Sequence, residues 1–179
     1  QYISLDVSST IFANATSDKA VYEQAVGWTG IMNGFYNLIT MVAAYFLIKL
    51  TLKYKPVYIH AICLVMAGVS LVLLPLIHEK SLSLLPMVGL GIAWASIMAV
   101  PYLIVVPYLP KEKYGIYMGI INMMIVIPML IQTISFKYIY NNLLDRQATL
   151  AIAFAGILLL IAAAITFSMR AYKEKEGQV

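Results

Sequence analysis

Five apolar segments, each about as long as a membrane-crossing helix, constrain this sequence more than any other feature. They lie near residues 27–50, 57–77, 84–108, 115–138 and 148–169. A helix needs about 20 apolar residues to cross the hydrocarbon core of a bilayer. A water-soluble chain of 179 residues has no core large enough to cover five such helices. The sequence therefore predicts an all-α membrane protein, with a single transmembrane helical domain over residues 1–179.

Composition indicates the same class of protein and argues against nucleic-acid binding. The chain is 62% hydrophobic and 11% charged, whereas soluble domains carry about 25% charged residues. The formal net charge is +4, but the basic residues occur in short clusters between the apolar segments and form no continuous basic face. We therefore expect the lipid bilayer as a partner, and no nucleic acid.

The first residues, QYISLDVSSTIFA at positions 1–13, are apolar enough for a membrane helix but too short to cross the bilayer. No initiating Met and no signal-type basic region precede them. We expect a partial helix over residues 1–13, so that the chain begins within a sixth helix as a fragment of a longer protein. At the other end, residues 170–179 are expected to form a polar tail.

The distribution of Lys and Arg predicts the orientation of the helices, because cytoplasmic loops retain positive charge during insertion. Taking the loops alternately, one side carries eight basic residues: Lys49, Lys53, Lys55, Lys111, Lys113, Arg170, Lys173 and Lys175. The other side carries three: Lys19, Lys80 and Arg146. We therefore expect a cytoplasmic carboxyl terminus and an outward-facing loop over residues 14–26.

Three of the five segments carry polar or aromatic side chains at depth, which is typical of helices that line a cavity or contact another helix. These side chains are Asn33, Asn37, Thr40, Trp94, Ser96, Tyr102, Asn122 and Gln132. The first three recur at helical spacing and share one helix face. Segments 57–77 and 148–169 are plainer, so we expect them at the periphery of the bundle, facing lipid.

The same polar residues have a structural interpretation as well. Asn, Thr and Ser in membrane helices often form hydrogen bonds to a neighbouring helix, each contributing about 0.6 kcal/mol. The pairs Gly30/Gly34 and Gly115/Gly119 have the spacing that allows two helices to approach closely. We therefore expect close helix packing at these glycines.

Signatures of enzyme chemistry are missing from the sequence. His60 and His78 have no metal-binding spacing, and the single Cys63 forms no CxxC pattern. The chain contains neither a G-x-S-x-G nucleophile motif nor a Gly-rich phosphate loop. We expect no enzyme activity, no cofactor and no metal site.

The stretch GIAWASIMAVPYLIVVPYLPKEKYGIYMGIINMMIVIP, residues 91–128, resembles the tenth and eleventh helices of sugar symporters in the major facilitator superfamily. The likeness is greatest to the sucrose and α-glucoside proton symporters, relatives of the glycoside cation symporter group. Those proteins combine a Val-Pro-Tyr step, a short cytoplasmic loop, a Gly-x-x-x-Gly-x-x-Asn motif and an Ile-Pro pair. The residues that match the last two features are Gly115, Gly119, Asn122, Ile127 and Pro128.

This resemblance extends over essentially the whole chain, although Met129 stands where those relatives often carry Gln. It implies the carboxy-terminal six-helix bundle of a twelve-helix major facilitator fold, with its first helix truncated. The implied function is secondary active transport, as proton-coupled symport of a sugar or glycoside by alternating access. The implied partners are a sugar or glycoside, a proton and the missing amino-terminal half of the same protein. The expected location is the bacterial inner membrane.

On this interpretation, amides would bond sugar hydroxyls and aromatic rings would stack on the sugar. The expected substrate-binding residues are Asn33, Asn37, Thr40, Trp94, Tyr102, Asn122 and Gln132. Asp6 is the one acid within an apolar segment and is the candidate for proton coupling, its alternative role being an interfacial residue that caps a helix end. The alternative functions for the chain are an exporter of drugs or metabolites on the same fold, and a non-transporting membrane subunit or sugar sensor.

Overall fold

The computed structural model describes residues 3, 6, 7, 10–12 and 19–176. Within them the chain forms five long helices and no strand. The helices are α1 (Lys19–Lys53), α2 (Pro56–Leu73), α3 (Leu84–Val105), α4 (Tyr114–Asn142) and α5 (Ala148–Glu176). Of the predicted partial helix, residues 3, 6, 7 and 10 are helical and residues 11 and 12 form a turn and a bend. The other residues of 1–13 that carry this prediction lie outside the described part.

Each of the five helices is long and apolar enough to cross a membrane. The shortest span by this measure has 21 residues, which at 1.5 Å per residue covers the roughly 30 Å hydrocarbon core. The chain is therefore an α-helical, multi-pass integral membrane protein, as the sequence predicted.

The first helix begins earlier than the sequence predicted. The segment expected as an outer loop, 14–26, is helical from Lys19 onwards. Its residues are good helix formers, and Lys19 Nζ lies 4.0 Å from Glu23 Oε1, one turn later, a spacing that favours a helix. At the other end of the chain, α5 continues to Glu176 instead of ending before a tail at 170, and residues 177–179 of that predicted tail lie outside the described part.

Prolines mark the ends of two helices. After α2 and after α3 the chain makes one short 3₁₀ turn, Leu74–Leu76 and Val106–Tyr108, each with proline near its start. Proline removes a backbone donor and clashes with the preceding helical turn, so both helices stop there. Two further prolines, Pro101 and Pro128, lie inside α3 and α4 without ending them.

Four of the five helices, all except α4, pack in a row rather than in chain order. The closest pairs are α2 with α5, α2 with α3, and α1 with α3, which places them in the order α1, α3, α2, α5. Within the described residues α2 has a neighbour on two sides and is the most buried of the five spans, and its expected place at the periphery of a complete bundle stays a prediction. Apolar composition does not distinguish a face that meets lipid from one that meets another helix.

Glycines allow the helices of this row to approach closely. A methyl group added at Gly68 of α2 would lie 2.6 Å from Leu160 Cγ and 2.9 Å from the carbonyl oxygen of Gly156, both on α5. One added at Gly91 of α3 would lie 2.9 Å from the carbonyl oxygen of Tyr36 on α1. Membrane helices associate through van der Waals packing, so these glycines decide which helices can meet.

The two glycine pairs that the sequence singled out are not at these crossings. A methyl group added at Gly30 or Gly34 of α1, or at Gly115 or Gly119 of α4, would have nothing within 4 Å. The prediction of close packing at these positions is therefore wrong for contacts among the described residues. Both pairs lie on helices whose spans are only 6% buried within the chain.

Candidate functional site

The polar stripe of α1 faces outward from the chain. Asn33 and Asn37 are exposed and Thr40 is half-buried. Asn37 Nδ2 donates to the carbonyl oxygen of Asn33 at 2.8 Å, and Thr40 Oγ1 donates to that of Tyr36 at 2.9 Å. These two side chains thus bond their own helix, and the amide oxygen of Asn37 stays available on an exposed surface.

A hydrogen bond brings two other predicted residues together. Tyr102 near the end of α3 donates its hydroxyl to Asn122 Oδ1 of α4 at 2.5 Å. Tyr102 lies about one turn before the end of α3 and Asn122 about two turns after the start of α4, so the hydrogen bond holds the two helix ends side by side. Asn122 and Gln132 are exposed, like most of α4.

The aromatic and hydroxyl residues on α3 lie on opposite faces. Trp94 is 46% exposed, whereas Ser96, two residues later, is fully buried and lies 3.0 Å from His60 Nδ1 on α2. Of the two roles expected for Ser96, a cavity or a contact with another helix, the structure shows the second, because its hydroxyl and the imidazole form a polar link between α2 and α3. A helix rotates about 100° per residue, which sends neighbours two apart to different sides.

Asp6 is buried inside the chain rather than in an open site. Its side chain is 1% exposed, and Thr149 Oγ1 donates to its Oδ1 at 2.8 Å. Thr149 is the second residue of α5, so the carboxylate lies beside a helix amino terminus, where the helix dipole favours negative charge. Thr149 is not among the residues predicted from the sequence. Its one local signal was a hydroxyl residue in the first turn of an apolar helix.

Ser83 forms a second buried polar contact that the sequence analysis missed. It is fully buried just before α3, accepts a hydrogen bond from Trp28 Nε1 at 3.0 Å and donates to the carbonyl oxygen of Lys80 at 2.6 Å. Lys80 Nζ lies 4.6 Å from the centre of the Trp28 ring, within the range of a cation–π interaction. The start of α1 is thus tied to the connection between α2 and α3.

Hydrophobic residues pack around these contacts at the same end of the helices. Val7 of the amino-terminal segment is fully buried in a cluster with Met32, Leu74, Met87 and Ile152. These residues come from α1, the turn after α2, α3 and α5. Val7 of the amino-terminal segment therefore packs against residues of three helices and one turn, and Asp6 is the buried residue before it in the sequence.

A groove of about 590 Å³ runs between α1 and α3. Ala43 and Leu47 are its most buried lining residues, and Val88 and Ile92 contribute from α3. None of the predicted substrate-binding residues lines it. Two lysines, Lys49 and Lys53, lie at its end.

Metal-ligating side chains do not gather in the described part of the chain, where no group of three or more His, Cys, Asp and Glu residues occurs. Cys63 is buried in the packing between helices.

No protein-family model, curated protein or solved structure matches this chain.

Proposed function

We propose that this chain is the carboxy-terminal half of a secondary active transporter of the major facilitator type, which carries a sugar or glycoside together with a proton. The observation that carries the proposal is the exposure of α1 and α4. Only 6% of each span is buried within the chain, yet these helices hold the amides Asn33, Asn37, Asn122 and Gln132. Amides at membrane depth are costly to leave in lipid, so these faces require further helices or a water-filled cavity.

The pair formed by Tyr102 and Asn122 supports recognition of a sugar. A phenol hydroxyl and an amide both donate and accept hydrogen bonds, so either can exchange its present partner for a sugar hydroxyl. The exposed ring of Trp94 offers an apolar surface on which a pyranose ring can stack. In the proposed transporter these groups face the amino-terminal half, and the two halves rock about a site between them.

Asp6 has a different place in this mechanism. Its carboxylate contacts Thr149 inside the chain and is 1% exposed, so we assign it no sugar contact. Protonation would weaken the hydrogen bond it accepts, since a carboxylate is the stronger acceptor. The bound proton would thereby alter how the amino-terminal segment is held against α5. The proposed location of the protein is a bacterial inner membrane, with the carboxyl terminus in the cytoplasm.

The test is sugar uptake by the complete protein in proteoliposomes with an inward proton gradient. We expect sucrose or maltose to accumulate, and a protonophore to abolish the accumulation. Tyr102→Phe removes one hydroxyl and should raise the KM for sugar about 2- to 12-fold, the equivalent of one net hydrogen bond of about 0.5–1.5 kcal/mol. Tyr138→Phe is the matched control, because Tyr138 is a tyrosine on α4 with 73% exposure outside the predicted site.

The variant Asp6→Asn distinguishes a role of Asp6 in proton coupling from a role in sugar binding. The variant should still exchange labelled sugar across the membrane at equal concentrations but should no longer accumulate it against a gradient. Unchanged accumulation would remove Asp6 from the mechanism. Binding of sugar without any accumulation by the unmodified protein would contradict transport and indicate a sensor.

A further inference from the structure

The groove between α1 and α3 ends in two positive charges. Its walls are apolar, with Val42 and Phe46 on α1 and Val88 on α3, and its floor is formed by the buried Ala43 and Leu47. It opens at the surface of a helix pair that is long enough to cross the membrane. Acyl chains of lipid are therefore the molecules that contact this surface first.

Lys49 and Lys53 are one helical turn apart and lie on the same side of α1. Lys49 Nζ lies 4.4 Å from the centre of the Tyr45 ring, and Lys53 Nζ lies 5.5 Å from that of Tyr54. These aromatic faces hold the two ammonium groups near the groove by cation–π attraction. The positions of the charges are thus set by neighbouring side chains.

The apolar part of α1 ends at these lysines. Helix α1 has 35 residues, which corresponds to about 52 Å and exceeds the roughly 30 Å of hydrocarbon. Lys53 is its last residue, and lysines at helix ends extend their ammonium groups to the headgroup layer. The apolar part of the groove then lies at the depth of acyl chains, and its charged end lies at the depth of lipid phosphates.

No carboxylate in the surrounding sequence balances these charges. The chain has no Asp or Glu between Glu23 and Glu79, and α3 carries none either. Within the described residues neither ammonium group forms an ion pair, and two such groups beside an apolar groove are complementary to a ligand with an anionic head and a hydrocarbon tail. The two ammonium groups are the only polar side chains among the described residues that line the groove, which favours an anionic, mainly apolar occupant over a sugar.

We propose that this groove is a binding site for an anionic phospholipid, with one acyl chain between α1 and α3 and the phosphate on Lys49 and Lys53. The site is separate from the proposed sugar site, since the two share no residue. Failure of one proposal therefore leaves the other standing.

The test is native mass spectrometry of the detergent-solubilised chain, titrated with phosphatidylglycerol or with phosphatidylcholine of the same acyl composition. One phosphatidylglycerol should bind tightly. The double variant Lys49→Gln/Lys53→Gln should bind it about 30-fold more weakly, from the typical contribution of a lysine near an anionic surface. Binding of phosphatidylcholine should not change.

Two further variants distinguish binding in the groove from nonspecific electrostatic attraction of an anionic lipid to lysines. Lys111→Gln/Lys113→Gln removes the same charge outside the groove and should bind phosphatidylglycerol like the unmodified chain. Val88→Phe fills apolar volume in the groove and should weaken binding of both lipids. Equal losses in the two lysine variants, equal affinity for both lipids, or a lipid-free dimer of the chain through this face would each overturn the proposal.

Discussion

The crossing of α2 and α5 provides the sharpest test of the fold. At Gly68 the backbones are so close that the methyl group of Gly68→Ala would lie 2.6 Å from Leu160 Cγ and 2.9 Å from the carbonyl oxygen of Gly156. The leucine side chain can move, but the carbonyl oxygen belongs to a helix backbone and cannot. The helices must therefore separate along their contact, and overpacking of this kind costs about 1–3 kcal/mol.

The matched control is Gly34→Ala on α1, where the added methyl group has nothing within 4 Å. Both variants replace glycine by alanine within a helix and gain the same intrinsic preference, about 0.5–1 kcal/mol. The difference between them therefore isolates the clash. We expect Gly68→Ala to be less stable than Gly34→Ala by about 1–3 kcal/mol.

Titration with sodium dodecyl sulfate in mixed micelles, followed by tryptophan fluorescence, measures the free energy of unfolding of each variant. Equal stability of the two variants would refute the crossing of α2 and α5 at Gly68. A loss confined to Gly34→Ala would show instead that the exposed face of α1 is a packing surface between copies of the chain.

Two further predictions concern buried hydrogen bonds. Thr149→Val removes the donor to the Asp6 carboxylate and should lower the free energy of unfolding by about 1.5–3 kcal/mol. The control is Thr166→Val, because the Thr166 hydroxyl donates to a carbonyl of its own helix at 2.8 Å, and this variant should change the free energy of unfolding by less than about 0.5 kcal/mol. Similar losses in the two variants would show that Thr149 holds no buried charge. Ser83→Ala leaves the indole N–H of Trp28 without its acceptor and should cost about 1–3 kcal/mol, with a shift in the near-ultraviolet circular dichroism of tryptophan; an unchanged spectrum would contradict the contact.

Local properties of the sequence were sufficient for the class of protein and for the existence of all five helices. Length and hydropathy act within each segment, since a span of about 20 apolar residues has one stable environment whatever its neighbours are. The start of α1 was predicted too late, at 27 rather than at Lys19. The difference arises because hydropathy alone predicts a loop for a polar segment, even when its residues are good helix formers.

The sequence predicts only part of the candidate site. Helical spacing placed Asn33 and Asn37 on one exposed face, as periodicity allows. It could not show that Tyr102 would meet Asn122 on another helix, or that Ser96 would turn away from Trp94 to contact His60. Those outcomes depend on the rotation of each helix, which its neighbours decide.

The sequence by itself determined that this chain lies in a membrane and crosses it repeatedly, because apolar length is a property of each segment alone. Only the tertiary structure decided which helices meet and where charges are buried. Gly68 and Gly156 form a crossing while Gly30 and Gly34, with the more suggestive spacing, face open space. Asp6 accepts a hydrogen bond from Thr149, which lies 143 residues later in the chain. Contacts of this kind join segments that carry no local sign of one another, so they arise only when the helices pack.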